Sequence, residues 1–415
     1  MAHPFIKKRV VGYLWKRAAK VLRRDEPFII AVTGSVGKTT TKDAITTLLS
    51  GEKIPVRSAS GNLNTEFGVP LAIMGFSAAP HGALAWIRAL WRTLFVRSVG
   101  PKGYRLVLEF SSDADGDIAF LAARVPVQIA VFTRFTMSHG RSSEQVAREK
   151  LSMLEGVVNG GAVVTNADDP LQKSARASSM HVRTYGMAAG VDVRYGVSRY
   201  DTAGIVMEVH TKKHTATITT QLVAAHQLMS VAAAVAVAGQ VKIPWSSIVK
   251  RVGQITPPNG RMRIIEGRKQ TTIIDDSYNS SPAAAEQAVA SLVAFAQDRR
   301  SVAVLGNMNE LGDHTVSAHI ALGQAVAKSG VQYLIAVGQN ATRIVRGARE
   351  GGMPDQHMIT FKTPEKLMAR LDNLIQAKDV ILVKASQNGM RFERVVKQLM
   401  AHPNEAADVL VRQDY

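Results

Sequence analysis

The stretch that decides the fold is VTGSVGKTTTKD, residues 32–43. It follows a short apolar run, FIIAVT at 28–33, and opens a segment, 38–50, whose apolar residues recur at helical spacing. Strand, glycine turn and helix in that order read as a phosphate cradle. Backbone N–H groups and the helix N-terminus face a polyphosphate, the Lys38 ammonium reaches its β and γ phosphates, and Thr39 offers a hydroxyl to Mg²⁺. The residues expected at such a nucleotide are Gly34, Ser35, Val36, Gly37, Lys38, Thr39 and Thr40. Val32 stands where the general G-x-x-x-x-G-K-[ST] pattern has its first glycine, so the general motif is only partly met.

Outward from this turn, further apolar runs at 105–110 (RLVLEF), 127–133 (VQIAVFT) and 162–165 (AVVT) are separated by helical patterns, which predicts a mostly parallel sheet with crossover helices. The segment 191–222 alternates Val, Ile and Thr as short antiparallel strands do, and an alanine-rich helix follows over 226–240. At 256–260 (TPPNG), consecutive prolines and an Asn-Gly pair end the helix and mark a linker. From 271 the alternation restarts with TTIIDD, SVAVLG, YLIAVG and VILVKA, each followed or preceded by a helix. The expected class is α/β: a P-loop central domain at 28–255 with a mostly parallel sheet, and a C-terminal Rossmann-like doubly wound α/β domain at 256–415. Residues 1–27 read as a separate basic amphipathic helix.

The chain has 415 residues, 46% of them hydrophobic and 20% charged, enough for two or three globular domains. It contains no cysteine, which excludes disulfides, thiolate metal sites and cysteine nucleophiles, and suits a reducing compartment. No secretory leader is legible at the start, so a cytoplasmic address is expected. The net charge of +18 admits nucleic acid, an anionic membrane or phosphorylated substrates. No aromatic-plus-basic binding module supports the first. Basic residues concentrate in the opening helix (Lys7, Lys8, Arg9, Lys16, Arg17, Lys20, Arg23, Arg24) and recur in ALAWIRALWRTLFVR at 83–97, which is too interrupted to span a bilayer. These two segments suit either peripheral contact with a membrane or protein partner, or simple packing against the domain. The expected species is a monomer.

The turn TGSVGKTTTKD resembles the nucleotide loop of the Mur ligase family. Further motifs similar to that family's follow in order: GNLNTEFGVP at 61–70, LEFSSDADGDI at 108–118, SHG at 138–140, REK at 148–150, NADDP at 166–170, NGRM at 259–262, DDSYNSSP at 275–282, LGNMNELG at 305–312 and LVKASQNGM at 382–390. Together they run from about residue 28 to 400. The branch they most resemble adds D-alanyl-D-alanine to a muramoyl tripeptide. The resemblance implies an ATP-dependent amide-bond ligase of peptidoglycan precursor synthesis that works through an acyl phosphate, with nucleotide-linked peptide and amino acid or dipeptide substrates.

Residue by residue, the resemblance makes Glu109 and His139 Mg²⁺ ligands and Lys150 the lysine that is carbamylated to hold a second metal. Arg261 is similar to an arginine that contacts the ATP phosphates, and Asp276 and Asn279 to residues at the ribose and base. Lys384 and Ser386, at the carboxyl edge of the VILVKA strand, are candidates for the incoming amine substrate. Asn62, Asn64 and Thr65 are candidates for the acceptor, although turn-forming roles explain them almost as well. Separate ATP contacts in two domains also imply closure on nucleotide.

The sequence departs from the family pattern in several places. Only some 27 residues precede the nucleotide domain, where the family usually has a domain that grips UDP. Arg134 stands for a small or amide residue, Ala225, Gln227 and Ser230 change a glycine-His-Asn pattern, Asn307 replaces an aspartate and Gln387 an arginine. These changes fall on base and substrate contacts more than on phosphate chemistry. A relative with another carboxylate and amine pair, of the folate polyglutamate or poly-amino-acid type, is the alternative within the family, and a non-catalytic nucleotide-binding relative the alternative outside enzymes.

Overall fold

The computed structural model describes residues 4–59, 63–80, 82–136, 142–177 and 180–411. The chain divides into two compact units. Unit 1 comprises residues 1–196, 208–218 and 227–255; unit 2 comprises 197–207, 219–226 and 256–415.

Unit 1 opens with helix α1 (Pro4–Asp25), followed by strand β1 (Phe28–Thr33) and helix α2 (Lys38–Leu49). Then come β2 (Val56–Ser58), α3 (Gly68–Ile73), α4 (Ala83–Thr93), β3 (Arg105–Glu109), α5 (Asp117–Ala122), β4 (Val127–Phe132) and α6 (Ser143–Leu151). β5 (Val157–Asn166), the short α7 (Lys173–Arg176) and β6 (His181–Gly186) follow. The sheet order begins β2-β3-β1-β4-β5-β6, all parallel. β1 is central, and Ile29 to Val32 are fully buried, as a strand covered by helices on both faces requires. Its register sets Val32 beside Glu109 and Thr33 beside Phe132. Glu109 therefore ends its strand level with the start of the glycine turn.

The order continues through β7 (Val193–Asp201), β8 (Gly204–Thr211) and β9 (Thr215–Thr219), the alternating segment of the sequence. Helix α8 (Leu228–Gln240) begins two residues later than the alanine pattern suggests, because 225–227 form a 3-10 turn; α9 (Trp245–Val252) follows. Pieces 197–207 and 219–226 group with unit 2 because Tyr200, Val223 and Ala224 pack into its apolar cluster.

α1 is not a detached arm. It buries Leu14, Trp15, Ala18, Val21 and Leu22 in the core of unit 1, and full burial of each large aliphatic contributes about 1.5–3 kcal/mol. Its Trp15 Nε1 donates to the Glu66 carbonyl at 3.0 Å, and its Tyr13 hydroxyl lies 2.9 Å from Thr93 Oγ1 on α4. Among the described residues no helix is long and apolar enough to cross a membrane.

Unit 2 contains β10 (Arg263–Glu266), β11 (Thr272–Asp276), α10 (Pro282–Ala296), β12 (Ser301–Leu305), α11 (Thr315–Ser329), β13 (Tyr333–Val337), α12 (Ala341–Glu350) and β14 (Met358–Phe361). It continues with α13 (Pro364–Met368), α14 (Leu371–Leu374), β15 (Val380–Lys384), α15 (Gln387–Met390) and α16 (Glu393–Leu399). The order is β10-β11-β15-β12-β13-β14, parallel except for the antiparallel edge pair β10–β11. α10, α11 and α12 cover one face and α13, α14 and α16 the other, the doubly wound arrangement. Ligand sites of such sheets lie at the carboxyl ends of the strands, which here are Asp276, Leu305 and Lys384.

Candidate functional site

In unit 1 the turn between β1 and α2 is held open by two glycines with positive φ, Gly34 at 149° and Gly37 at 84°. A Cβ at Gly34 would stand 2.0 Å from Thr133 Oγ1, and one at Gly37 3.1 Å from Ser230 Oγ. Neighbouring backbone shapes the turn from outside: the amides of Ser35 and Val36 both donate to the Arg134 carbonyl, at 2.8 and 3.3 Å. Ser35 Oγ donates to the Thr136 carbonyl and accepts from its amide. The first intrahelical bond runs from Thr41 N to Gly37 O. The first turn of a helix directs its amides outward rather than to a preceding carbonyl, and here those amides belong to Lys38, Thr39 and Thr40. With the helix dipole they form a site for a polyphosphate anion. The Lys38 ammonium lies 3.4 Å from the Ser35 carbonyl, folded over the turn.

The Thr39 hydroxyl donates to Glu109 Oε2 at 3.0 Å, and Asn64 Nδ2 donates to Glu109 Oε1 at the same distance. Glu109 is only 7% exposed, so these bonds orient a carboxylate that would otherwise be desolvated without partners. The residues fit a magnesium ion. Mg²⁺ takes hard oxygen donors at about 2.0–2.1 Å in an octahedron, whose adjacent oxygens are then ~3 Å apart. Thr39 Oγ1 and Glu109 Oε2 have that spacing. Among the described residues no three His, Cys, Asp or Glu side chains gather at one point.

Lys150, at the end of α6, is 4% exposed, and its ammonium donates to Ser112 Oγ at 2.7 Å, three residues beyond Glu109. The preceding Glu149 accepts the amides of Gly116 and Ile118 at 2.7 and 2.8 Å and so ties α6 to the start of α5. His139 and Asn62 lie outside the described residues. Thr65 accepts the Val69 amide with its carbonyl, a turn role, and Asn64 is engaged with Glu109.

In unit 2 the turn after β11 carries the expected nucleotide residues. Asp276 accepts the Met262 amide at 3.1 Å on Oδ1 and the Lys384 ammonium at 2.5 Å on Oδ2. Lys384 also donates to the Asn279 carbonyl at 2.9 Å. Ser386 Oγ donates to the Ser280 carbonyl and accepts the Asn309 amide, both at 2.9 Å. Lys384 and Ser386, considered for the amine substrate, are 2% and 4% exposed and instead pin the 276–280 turn to the end of β15. Asn279 is exposed, and the Arg261 guanidinium lies 4.3 Å from the centre of the Tyr278 ring. Asp275, in the strand beneath, is fully buried; burial pushes its carboxyl up to about 7 although the Ser277 amide, donating to Oδ1 at 3.1 Å, lowers it.

Two family models match the chain: the Mur ligase middle domain over residues 93–238 and the Mur ligase glutamate ligase domain over 260–387. The chain belongs to the Mur ligase family. A UDP-N-acetylmuramoyl-tripeptide D-alanyl-D-alanine ligase of Bacillus subtilis is 27% identical over 378 residues, covering 90% of this chain and 76% of the relative. A protein of the same name from Mycobacterium tuberculosis is 28% identical over 383 residues, 86% and 70%. The MurF ligase of Thermotoga maritima, solved in complex with ADP, superposes with a TM-score of 0.75 at 24% identity, covering 96% of this chain and 84% of that one.

Within this Mur ligase the departures from the family pattern have visible positions. Ser230 abuts the glycine turn, its Oγ 3.4 Å from the Gly37 carbonyl. Arg134 meets the turn through its backbone carbonyl, which any residue supplies. Asn307 accepts the Asn340 amide at 3.1 Å. Sequence reasoning passed over Lys42, 2% exposed, whose ammonium donates to the Ala59 carbonyl at 2.5 Å and ties Ala59 to α2. Its only sequence signal is a lysine on the apolar side of an otherwise buried helix.

Proposed function

We propose that the chain is an ATP-dependent, ADP-forming ligase that joins D-alanyl-D-alanine to a UDP-linked muramoyl tripeptide in peptidoglycan precursor synthesis. The observation that carries this reading is the Thr39–Glu109 pair, at 3.0 Å, beside the lysine and glycines of a phosphate-binding turn. The substrate pair rests on the relatives, which bear the name of that ligase across 86–90% of the chain.

In the reaction a tripeptide carboxylate oxygen bonds the γ-phosphorus of ATP as the bond to ADP breaks. The dipeptide amine then bonds the acyl carbon, inorganic phosphate leaves and the amine proton passes to solvent. Bound Mg²⁺ would supply charge neutralisation for the approaching anions. The helix amides and Lys38 hold the β and γ phosphates, which positions the terminal phosphorus and costs no reorganisation during transfer. Thr39 and Glu109 would hold the metal, with His139 as a further ligand. Carbamylation of Lys150, by addition of carbon dioxide to its amine with loss of a proton to solvent, would turn a buried cation into an anionic oxygen donor for a second metal. The nucleotide contacts proposed for unit 2 are Arg261, Asp276 and Asn279. In this reading the protein is cytoplasmic and monomeric, and α1 with α4 forms its surface for peripheral contact.

The test is phosphate release by the purified chain with ATP, Mg²⁺, UDP-linked muramoyl tripeptide and D-alanyl-D-alanine. Release should require both substrates, and Lys38→Ala should lower it by about 100-fold or more. ATP left intact by the complete mixture would defeat the ligase reading. Release only with another acid and amine pair, such as a folate with glutamate, would move the substrate within the family.

A further inference from the structure

We propose that α4 and the outer side of α1 seat unit 1 on an anionic lipid surface, with Trp91 and Phe95 entering the headgroup boundary. This deepens the peripheral-contact reading above and stands apart from the ligase chemistry.

α4 packs on unit 1 with Trp86 and Leu90 half-buried against the core, and it carries a second apolar face on the outside. The residues it buries are small, Ala89 and Thr93, whereas Leu84 is 72% exposed, Ile87 63% and Trp91 65%. Leu94 and Phe95, just past its end, are 50% and 64% exposed. At 3.6 residues per turn, positions 84, 87, 91 and 95 fall on one face. In a globular protein that face ordinarily meets a core.

Bonds on the opposite side fix this orientation. Tyr13 pairs with the Thr93 hydroxyl, and the Arg17 guanidinium takes the carbonyls of Thr93 and Leu94 at 2.7–3.0 Å, capping the end of α4. Trp86 packs edge-on against Phe67 at 5.9 Å. Trp91 and Phe95, on the outer face, meet each other edge-on at 4.8 Å.

Charge selects the occupant. Arg88 and Arg97 are exposed among these apolar residues, and α1 adds the exposed Lys16, Lys20, Arg23 and Arg24. No Asp or Glu occurs from residue 67 to 108, or from 4 to 24. A second copy of the chain would set these cations against themselves, and nucleic acid would leave the aliphatic and aromatic face in water. An anionic bilayer takes both features, its headgroups meeting Lys and Arg and its acyl boundary meeting Leu84, Ile87, Trp91 and Phe95. The 11 residues of α4 span roughly 16 Å, well short of a hydrocarbon core of ~30 Å, so the helix lies in the interface plane.

The experiment is co-sedimentation of the full chain with phosphatidylglycerol-containing vesicles and with pure phosphatidylcholine vesicles, at low and high salt. The expected result is binding to the anionic vesicles that weakens as salt rises. The double substitutions Trp91→Glu/Phe95→Glu and Arg88→Glu/Arg97→Glu should each weaken it by about tenfold or more, with melting temperature and any phosphate release unchanged. No binding, equal binding to both vesicle types, or binding indifferent to the substitutions would overturn the proposal. Light scattering that shows a dimer converted to monomer by Trp91→Glu/Phe95→Glu would overturn it too, assigning the face to a second copy. Because lipid binding is read without substrate, either this proposal or the ligase reading can fail alone.

Discussion

Lys384 Nζ lies 2.5 Å from Asp276 Oδ2, with the lysine side chain 2% exposed and the aspartate 12%. The pair joins the carboxyl ends of two neighbouring parallel strands, which are in register at these same residues. Removing one charge leaves the other buried without compensation, a loss of about 3–5 kcal/mol for pairs of this kind. Lys384→Met should therefore shift the unfolding transition of unit 2 strongly downward in calorimetry. Lys384→Met with Asp276→Asn should recover much of the loss. Equal loss in the single and the double variant would show that the pair is not coupled.

Glu109→Gln keeps an amide oxygen to accept the Asn64 bond and reverses the Thr39 bond, its new NH2 donating to that hydroxyl, but removes the negative charge offered to a metal. The Mg²⁺ concentration for half-maximal phosphate release should rise by at least about tenfold. Asn64→Ala loosens the same carboxylate from outside and should raise it by roughly tenfold, with the rate at saturating Mg²⁺ largely kept. A Glu109→Gln enzyme with an unaltered Mg²⁺ requirement would remove this residue from the metal site.

Gly34→Ala places a methyl group 2.0 Å from Thr133 Oγ1 on a backbone with φ 149°. Such strain costs on the order of 1–3 kcal/mol and is relieved by moving the turn. The expected result is loss of fluorescent ADP-analogue binding with a modest fall in melting temperature. Retained nucleotide affinity would show that the turn tolerates the side chain without moving.

Asp275 yields a pH dependence with a definite sign. Its folded carboxyl is pushed up to about 7 by burial, with Asp276 and Glu393 adding to the rise, and an unfolded aspartate titrates near 3.9. The folded state thus holds the proton more tightly, so this contribution to stability is fully present below about pH 4 and is lost as pH rises through about 7. Arg263, opposite Asp275 in the β10–β11 register, faces the same site. Asp275→Asn should flatten the decline of melting temperature between pH 5 and 8. An unchanged slope would place the titrating group elsewhere.

The glycine turn between β1 and α2 was legible because a strand, two glycines and a helix follow one another in consecutive residues. The parallel strands were legible for a similar reason, since runs such as 28–33 and 380–385 are apolar on both faces. The edge strands β2, β10 and β14 and the interior strand β6 escaped notice: they carry little unbroken hydrophobicity, and pairing with a neighbour defines them.

By itself, the sequence determined that two α/β sheets would form, where the glycine turn between strand and helix lies, and which residue types it carries. Only the tertiary structure decided how those residues are used. Register across β1 and β3 sets Glu109 level with the glycine turn, so that a carboxylate 70 positions from Thr39 accepts its hydroxyl. The same long-range pairing makes Lys384 and Ser386 pins of the 276–280 turn and Asn64 a support for Glu109. It also left one apolar side of α4 in solvent, because Tyr13, Arg17 and the packing of Trp86 and Leu90 hold the helix by the other. Periodicity reports that a helix has an apolar face; what that face meets depends on contacts between segments far apart in the chain.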